Sequence, residues 1–222
     1  MLLDARDLKA GAVLSADVCI AGSGPAGMTL ATQLIDSGLD VILLESGGLD
    51  FDGDNQSLND GKTTGINTLN PIDWRVRVFG GTSAHWEGFC RPLGPEEFTR
   101  RDWIPGSGWP IDYDTLKPYY VRAQDTLQVG ALDYDAKHMS ERIGIPLLSD
   151  DDRVIEHRFY RLSPPTRFGM RFLDAVTDAE NLTAYLHATL IDIVLDKKLG
   201  SIERFDCSTL DGKRFSVEAG RL

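Results

Sequence analysis

Three glycines in the segment GSGPAG, Gly22, Gly24 and Gly27, stand at the G-x-G-x-x-G spacing. That spacing lets a backbone turn tightly, approach a pyrophosphate and pack a helix against a strand. Ser23 and Pro25 lie between them, and Pro25 suits the first position of a helix whose free N–H groups and positive dipole end attract an anion. Eighteen residues beyond Gly27, Glu45 closes an apolar run, where a carboxylate can accept hydrogen bonds from a ribose diol. The chemistry indicated is dinucleotide binding, and NAD and FAD share the fingerprint. A ligand-free glycine turn is the bland alternative, weakened by strand, turn, helix, strand and carboxylate arriving in order.

These residues need a scaffold, and residues 16–45 read as one β-α-β unit. The runs 18–21 and 41–44 are apolar throughout, as suits strands buried on both faces of a parallel sheet with a right-handed crossover. Residues 46–70 are rich in Gly, Asp, Asn, Ser and Thr and read as a long surface connection. The stretch RVRVFGGTSAHWEGFCRP at 75–92 alternates and then breaks at Gly80 and Gly81, predicting a short strand that feeds a glycine turn. Asp112 or Asp114 offers an N-cap for a helix with Pro118 near its first turn and an end near Gly130. The segment 131–165 shows no clear period. Residues 168–179 read as a helix, followed by strand-like runs at 182–195, 202–209 and 213–219. Turns at Lys198-Leu199-Gly200 and Asp211-Gly212 make these an antiparallel meander.

With 23 Lys and Arg against 34 Asp and Glu, the net charge of −11 repels phosphate backbones and anionic lipid, so nucleic acid is not an expected partner. No apolar run approaches the roughly 18 residues of a membrane span, and the first residues lack a signal-peptide pattern. Cys19, Cys90 and Cys207 are far apart and read as reduced thiols, which favours the cytoplasm. His138, His157 and His187 have neither metal-pair nor triad spacing, so no metal site is expected. Trp74, Trp103 and Trp109 read as packing residues and Asp150 to Asp152 as a solvated loop.

Together ADVCIAGSGPAGMTLA, VILLESGG, RVFGGTSAHW, GWPIDYDTLKPYY and SPPTRFGMRFLDA resemble the glucose-methanol-choline (GMC) oxidoreductases, near their sugar or alcohol dehydrogenases and pyranose oxidases. The resemblance implies an α/β fold: a Rossmann-type FAD-binding parallel sheet, an antiparallel meander and an incomplete substrate domain. It divides the chain into 1–90 and 166–222 for FAD binding and 91–165 for a partial substrate region. It implies that Gly22, Ser23, Gly24, Pro25 and Gly27 hold the FAD pyrophosphate, and that Glu45 binds the adenosine ribose. Gly80, Gly81 and Thr82 would run under the flavin half, and Thr189 or Leu190 would bring backbone to the adenine. For His85 it leaves two states, a covalent bond to the flavin 8α-methyl group or packing beside a noncovalent flavin. Glu87 departs from the threonine that pyranose oxidases place two residues after that histidine.

The resemblance further implies hydride transfer from the CH–OH group of a sugar or alcohol to FAD, with a histidine base near the family's C-terminus. No catalytic residue is assigned within these 222 residues, and the chain reads as an N-terminal portion. The electron acceptor stays open among quinone, cytochrome and O2, as does export with a partner subunit. A flavin oxidase using O2 and a non-catalytic truncated flavin-binding module are the alternatives.

Overall fold

The computed structural model describes residues 1–221 except 66–68, 150, 152, 197 and 199. The expected turn at Leu199 and most of the Asp150 to Asp152 loop therefore lie outside the described residues. The chain folds into two compact units, one of residues 1–85 and 167–222 and the other of residues 86–166.

In the first unit, β1 (Leu2–Asp4), β2 (Ala12–Ala21), α1 (Pro25–Gln33) and β3 (Val41–Leu44) precede two short helices, α2 (Gly53–Ser57) and α3 (Pro71–Trp74). The second unit holds β4 (Phe89–Cys90), α4 (Pro95–Phe98), α5 (Tyr113–Leu127), α6 (Ala136–Ile143) and β5 (Arg161–Leu162). The first unit resumes with α7 (Phe168–Asp178), β6 (Leu182–Leu186), β7 (Thr189–Leu195), β8 (Ile202–Ser208) and β9 (Arg214–Arg221).

Seven strands form one sheet in the order β1-β6-β3-β2-β9-β8-β7. The first five are mutually parallel, and β9-β8-β7 is the antiparallel meander. Strand β2 serves both parts, pairing with β9 from Ala12 to Val18 and with β3 from Val18 to Ala21. The two apolar runs expected to be parallel strands are neighbours in register, Val18 with Val41 through Ala21 with Leu44.

Alternation assigns the two faces. Cys19, Ile42, Leu44 and Tyr185 join Phe205, Cys207, Phe215 and Val217 of the meander in one buried cluster. α1 and α7 pack against each other and against β2, β3 and β6, and Met28, Leu43, Phe168 and Val176 are almost wholly buried. Each such side chain contributes about 1.5–3 kcal/mol through lost water contact. The Met1 ammonium donates to the carbonyls of Val176, Ala179 and Leu182, setting a cation where α7 ends and β6 begins.

Five expectations change. The run 182–195 is two strands, because His187 takes φ +56° between β6, which joins the parallel sheet, and β7, which joins the meander. Residues 75–79 form no strand. Residues 46–70 are not surface throughout, since Asn55 and Gln56 of α2 are buried. Pro118 lies inside α5, five residues beyond its start, while Asp112 is the cap and accepts from the Thr115 N–H. Trp74, Trp103 and Trp109 are each more than half exposed, so none packs into a core within this chain. Among the described residues no helix is long and apolar enough to cross a membrane.

Candidate functional site: the glycine turns and their carboxylate

The first glycine turn sits where β2 ends and α1 begins, at the carboxyl edge of the parallel strands, the usual place for a ligand in such sheets. Gly22 has φ +92°, a left-handed conformation that disfavours any side chain. A Cβ on Gly27 would collide with the Gly22 carbonyl oxygen, whereas one on Gly24 would meet nothing within 4 Å. The third glycine therefore closes the turn and the second leaves open space in front of the helix. Gly24 is the N-cap, Pro25 is the first helical residue, and no side chain caps the α1 N–H groups. An uncapped, glycine-fronted helix end with no acidic residue in its first turn fits a phosphate ligand.

Ser23 joins the separate pieces. Its N–H and Oγ both donate to Glu45 Oε2, at 3.0 and 2.5 Å, while its Oγ accepts from the Gly80 N–H at 3.0 Å. Glu45 is 5% exposed, and its Oε1 accepts from the Gly47 N–H at 2.8 Å and from Ser46 Oγ at 3.3 Å. A carboxylate has about four lone-pair sites, and these four contacts occupy them. Burial of the charge is thereby compensated, and Glu45 ties the first turn to the 45–47 turn.

The second glycine turn is equally constrained. Gly80 has φ +92°, and a Cβ there would strike the Gly169 backbone at the start of α7. Gly81 has φ +58°, and its Cβ would lie 2.8 Å from the Gly24 α-carbon, so the two glycine turns touch. Ser83 Oγ donates to the Gly80 carbonyl and accepts from the Phe168 N–H, locking this turn to α7. Thr82 Oγ1 accepts from the Val76 N–H at 3.3 Å.

Two recesses flank the turns. A small pocket of about 170 Å³ is lined by Gly22, Leu44, Ser46, Arg77, Thr189 and Leu190, so Leu190 and Thr189 share a pocket with the first glycine. A larger cleft of about 630 Å³ is mostly apolar, with Val78, Phe79 and Met170 among its walls and His85, Asp50 and Arg167 as its ionisable groups. His85 is exposed, ends the short helical turn 81–84 and donates its N–H to the Thr82 carbonyl.

Sequence reasoning missed several residues that hold this site. Gln56 donates to the Ile72 and Arg75 carbonyls and accepts from the Arg77 N–H, pinning the segment before Gly80. His187 donates its N–H to the Gly47 carbonyl, and its ring lies 3.3 Å from Asn55 and against Gly48. A histidine beside an Ala-Thr pair gives no warning of a left-handed residue. Gly169, in FGMRF, was legible only as an odd glycine inside a helix.

No thiol here is poised as a nucleophile. Burial, with Cys207 nearby, pushes Cys19 up to about 12, and burial, with Asp206 beside it, pushes Cys207 to about 12. Burial also raises Cys90. The three cysteines are unpaired.

Fold and turns together define a dinucleotide-binding α/β unit, and residues 15–52 match a family model described as FAD binding domain. The chain is 29% identical to 6'''-hydroxyparomomycin C oxidase of Streptomyces lividus over 143 residues, 57% of this chain and 25% of that protein. It is 29% identical to dehydrogenase str4 of Strobilurus tenacellus over 149 residues, 54% of this chain and 22% of that protein. In fold it resembles pyridoxine 4-oxidase from Mesorbium loti, with TM-score 0.59, 18% identity and coverage of 92% of this chain and 48% of that one. A fungal aryl-alcohol oxidase gives TM-score 0.57, 14% identity and coverage of 96% and 45%. The chain thus spans about half the length of those solved structures and about a quarter of those curated relatives. The curated relatives carry oxidase and dehydrogenase names, and the solved neighbours share the fold.

Proposed function

We propose that this chain forms the FAD-binding part of an oxidoreductase acting on the CH–OH group of a sugar or alcohol. The observation that carries the reading is the hydrogen-bonded line Glu45, Ser23, Gly80, which gathers three motifs separated in sequence around one uncapped helix end. In this reading residues 1–85 and 167–222 bind the cofactor, and 86–166 belong to the substrate region. FAD, when bound, supplies two-electron chemistry that protein side chains lack.

The chain's own residues have distinct tasks. Gly22, Gly24, Pro25 and Gly27 present the α1 N-terminus to the pyrophosphate. Glu45 exchanges its longest contact, Ser46 Oγ at 3.3 Å, for a ribose hydroxyl while Ser23 and Gly47 keep it oriented. Thr189 and Leu190 offer backbone to the adenine. Gly80, Gly81 and Thr82 line the path of the flavin half, and His85 faces the apolar cleft beside it, as a covalent anchor or as a packing group. No catalytic base is assigned to this chain. Two of the relatives are named as oxidases of 6'''-hydroxyparomomycin C and paromamine, which makes a sugar hydroxyl the first substrate to try. Oxidase and dehydrogenase names both occur among the relatives, so O2 and other acceptors are tested side by side. Three unpaired cysteines support a reducing compartment, the cytoplasm, as the place of work.

The test loads the purified chain with FAD, removes free flavin, and follows the yellow absorbance before and after acid denaturation. Bound flavin that His85→Ala releases on denaturation, and that wild type retains, establishes the covalent anchor. Release from both leaves FAD binding intact and makes His85 a packing group. No flavin bound before denaturation overturns the proposed function for this chain.

A further inference from the structure

We propose that Asp60 is a site of spontaneous isoaspartate formation, singled out by the fold from the chain's three Asp-Gly pairs, Asp52-Gly53, Asp60-Gly61 and Asp211-Gly212. At such a pair the glycine amide nitrogen can attack the aspartate Cγ, because glycine has no side chain to obstruct the approach. The N–Cγ bond forms as the Cγ–OH bond breaks, and the amide proton leaves with the hydroxyl as water. Water then reopens the five-membered imide at its α-carbonyl, so the mass is unchanged while the main chain now runs through Cβ. The step needs no oxidant and no enzyme, only a carboxyl group and an amide nitrogen that are free to meet.

Two of the three pairs are restrained. Asp52 caps α2: its Oδ1 accepts from the Asp54 N–H and its Oδ2 from Asn55 Nδ2, both at 2.9 Å, while Gly53 is the first helical residue. In the turn between β8 and β9, the Gly212 N–H donates to the Thr209 carbonyl at 3.0 Å and the Asp211 carboxylate accepts from Thr209 Oγ1. In both, the carboxylate is committed elsewhere. At Asp60 the Gly61 N–H donates to Asp60 Oδ1 at 2.9 Å, which sets the nitrogen against the very carboxyl group it attacks. Among the described residues that carboxylate has no other partner. Both residues are exposed and outside any helix or strand, and a Cβ on Gly61 would meet nothing within 4 Å, so the backbone has room to close the ring. The extra main-chain atom enters next to Asn59, whose side chain donates to the Arg75 carbonyl and accepts from Arg77 Nε. The lesion therefore falls where the 46–70 connection is tied to the segment before Gly80.

The experiment ages the 222-residue chain at neutral pH, folded and in urea, and follows each Asp-Gly pair by peptide mapping. The readouts are lost cleavage by a protease that cuts before Asp, with no change of mass, and methyl transfer from S-adenosylmethionine by an isoaspartyl methyltransferase. In the folded chain Asp60 is expected to convert at least about tenfold faster than Asp52 and Asp211, whose reaction waits for local opening. In urea the three rates are expected to converge to within about threefold, since the protecting hydrogen bonds are gone. Asp60→Glu should remove the methylation of the folded chain, because the longer side chain forms its six-membered imide far more slowly. Comparable rates at the three pairs in the folded chain, or no conversion at Asp60, overturn the proposal. So does a lead for Asp60 that persists undiminished in urea, which belongs to the flanking residues and not to the fold. Methylation that survives in the folded Asp60→Glu chain overturns it as well.

Discussion

The two recesses beside the glycine turns are built on opposite principles. Around the small pocket nearly every polar group is committed: Glu45 accepts four hydrogen bonds, Ser23 bridges two turns, and Gln56 and Asn59 fix the segment that carries Arg77. Around the larger cleft the walls are apolar, Phe51 and Met170 are exposed, and His85 holds its place by one backbone hydrogen bond. A rigid end suits a moiety that only needs to be held. An apolar, lightly tethered end suits a ring system that is to react with something else. Preorganisation is thus concentrated where binding is decided.

The largest test of that contrast is Gly27→Ala, whose Cβ must displace the Gly22 carbonyl. Loss of FAD binding and at least about 3 kcal/mol of stability is expected, read by FAD titration and urea unfolding. Ser23→Ala comes next. It strands the buried Gly80 N–H and removes one donor from Glu45, so about 1–3 kcal/mol should be lost together with most FAD affinity. The buried thiols sharpen the contrast through pH. Unfolded cysteines ionise near 9.0 and the folded Cys19 and Cys207 near about 12, so folding keeps them protonated. Their contribution is complete below pH 9.0 and fades as pH climbs toward 12, and at about pH 8 iodoacetamide should label both only after denaturation. The smallest effect is expected at the open cleft, where His85→Ala should move stability by less than about 0.5 kcal/mol. If it costs as much as Ser23→Ala, the two recesses are not built differently.

Much of this was legible because local rules and tertiary use agree. The first glycine turn, α1, β2 and β3 follow from residue type and spacing alone, since positive φ, an N1 proline and two wholly apolar runs leave few alternatives. The misreadings fall where a side chain's partner is remote in sequence. Residues 75–77 alternate like a strand, yet their backbone groups are satisfied by Gln56 and Asn59 rather than by a neighbouring strand. α2 looks like polar surface because its buried residues are Asn55 and Gln56, whose hydrogen bonds replace apolar contact. The break at His187 is hidden because only Gly48, more than a hundred residues earlier, makes room for the ring. Arg77 was passed over for the same reason. Nothing adjacent announces that Ser46 and Asn59 will aim it.

Strand β2 carries a consequence for how the molecule is made. Its second half finds β3 within about twenty residues, whereas its first half pairs with β9, about two hundred residues later in synthesis. During translation the amino-terminal half of this strand therefore waits with its edge bare until about two hundred further residues have been made. An unpaired edge is a template for adhesion to other chains. Chaperone demand and losses to inclusion bodies should accordingly fall on the interval between the completion of β3 and the arrival of β9, a window set by topology rather than by stability.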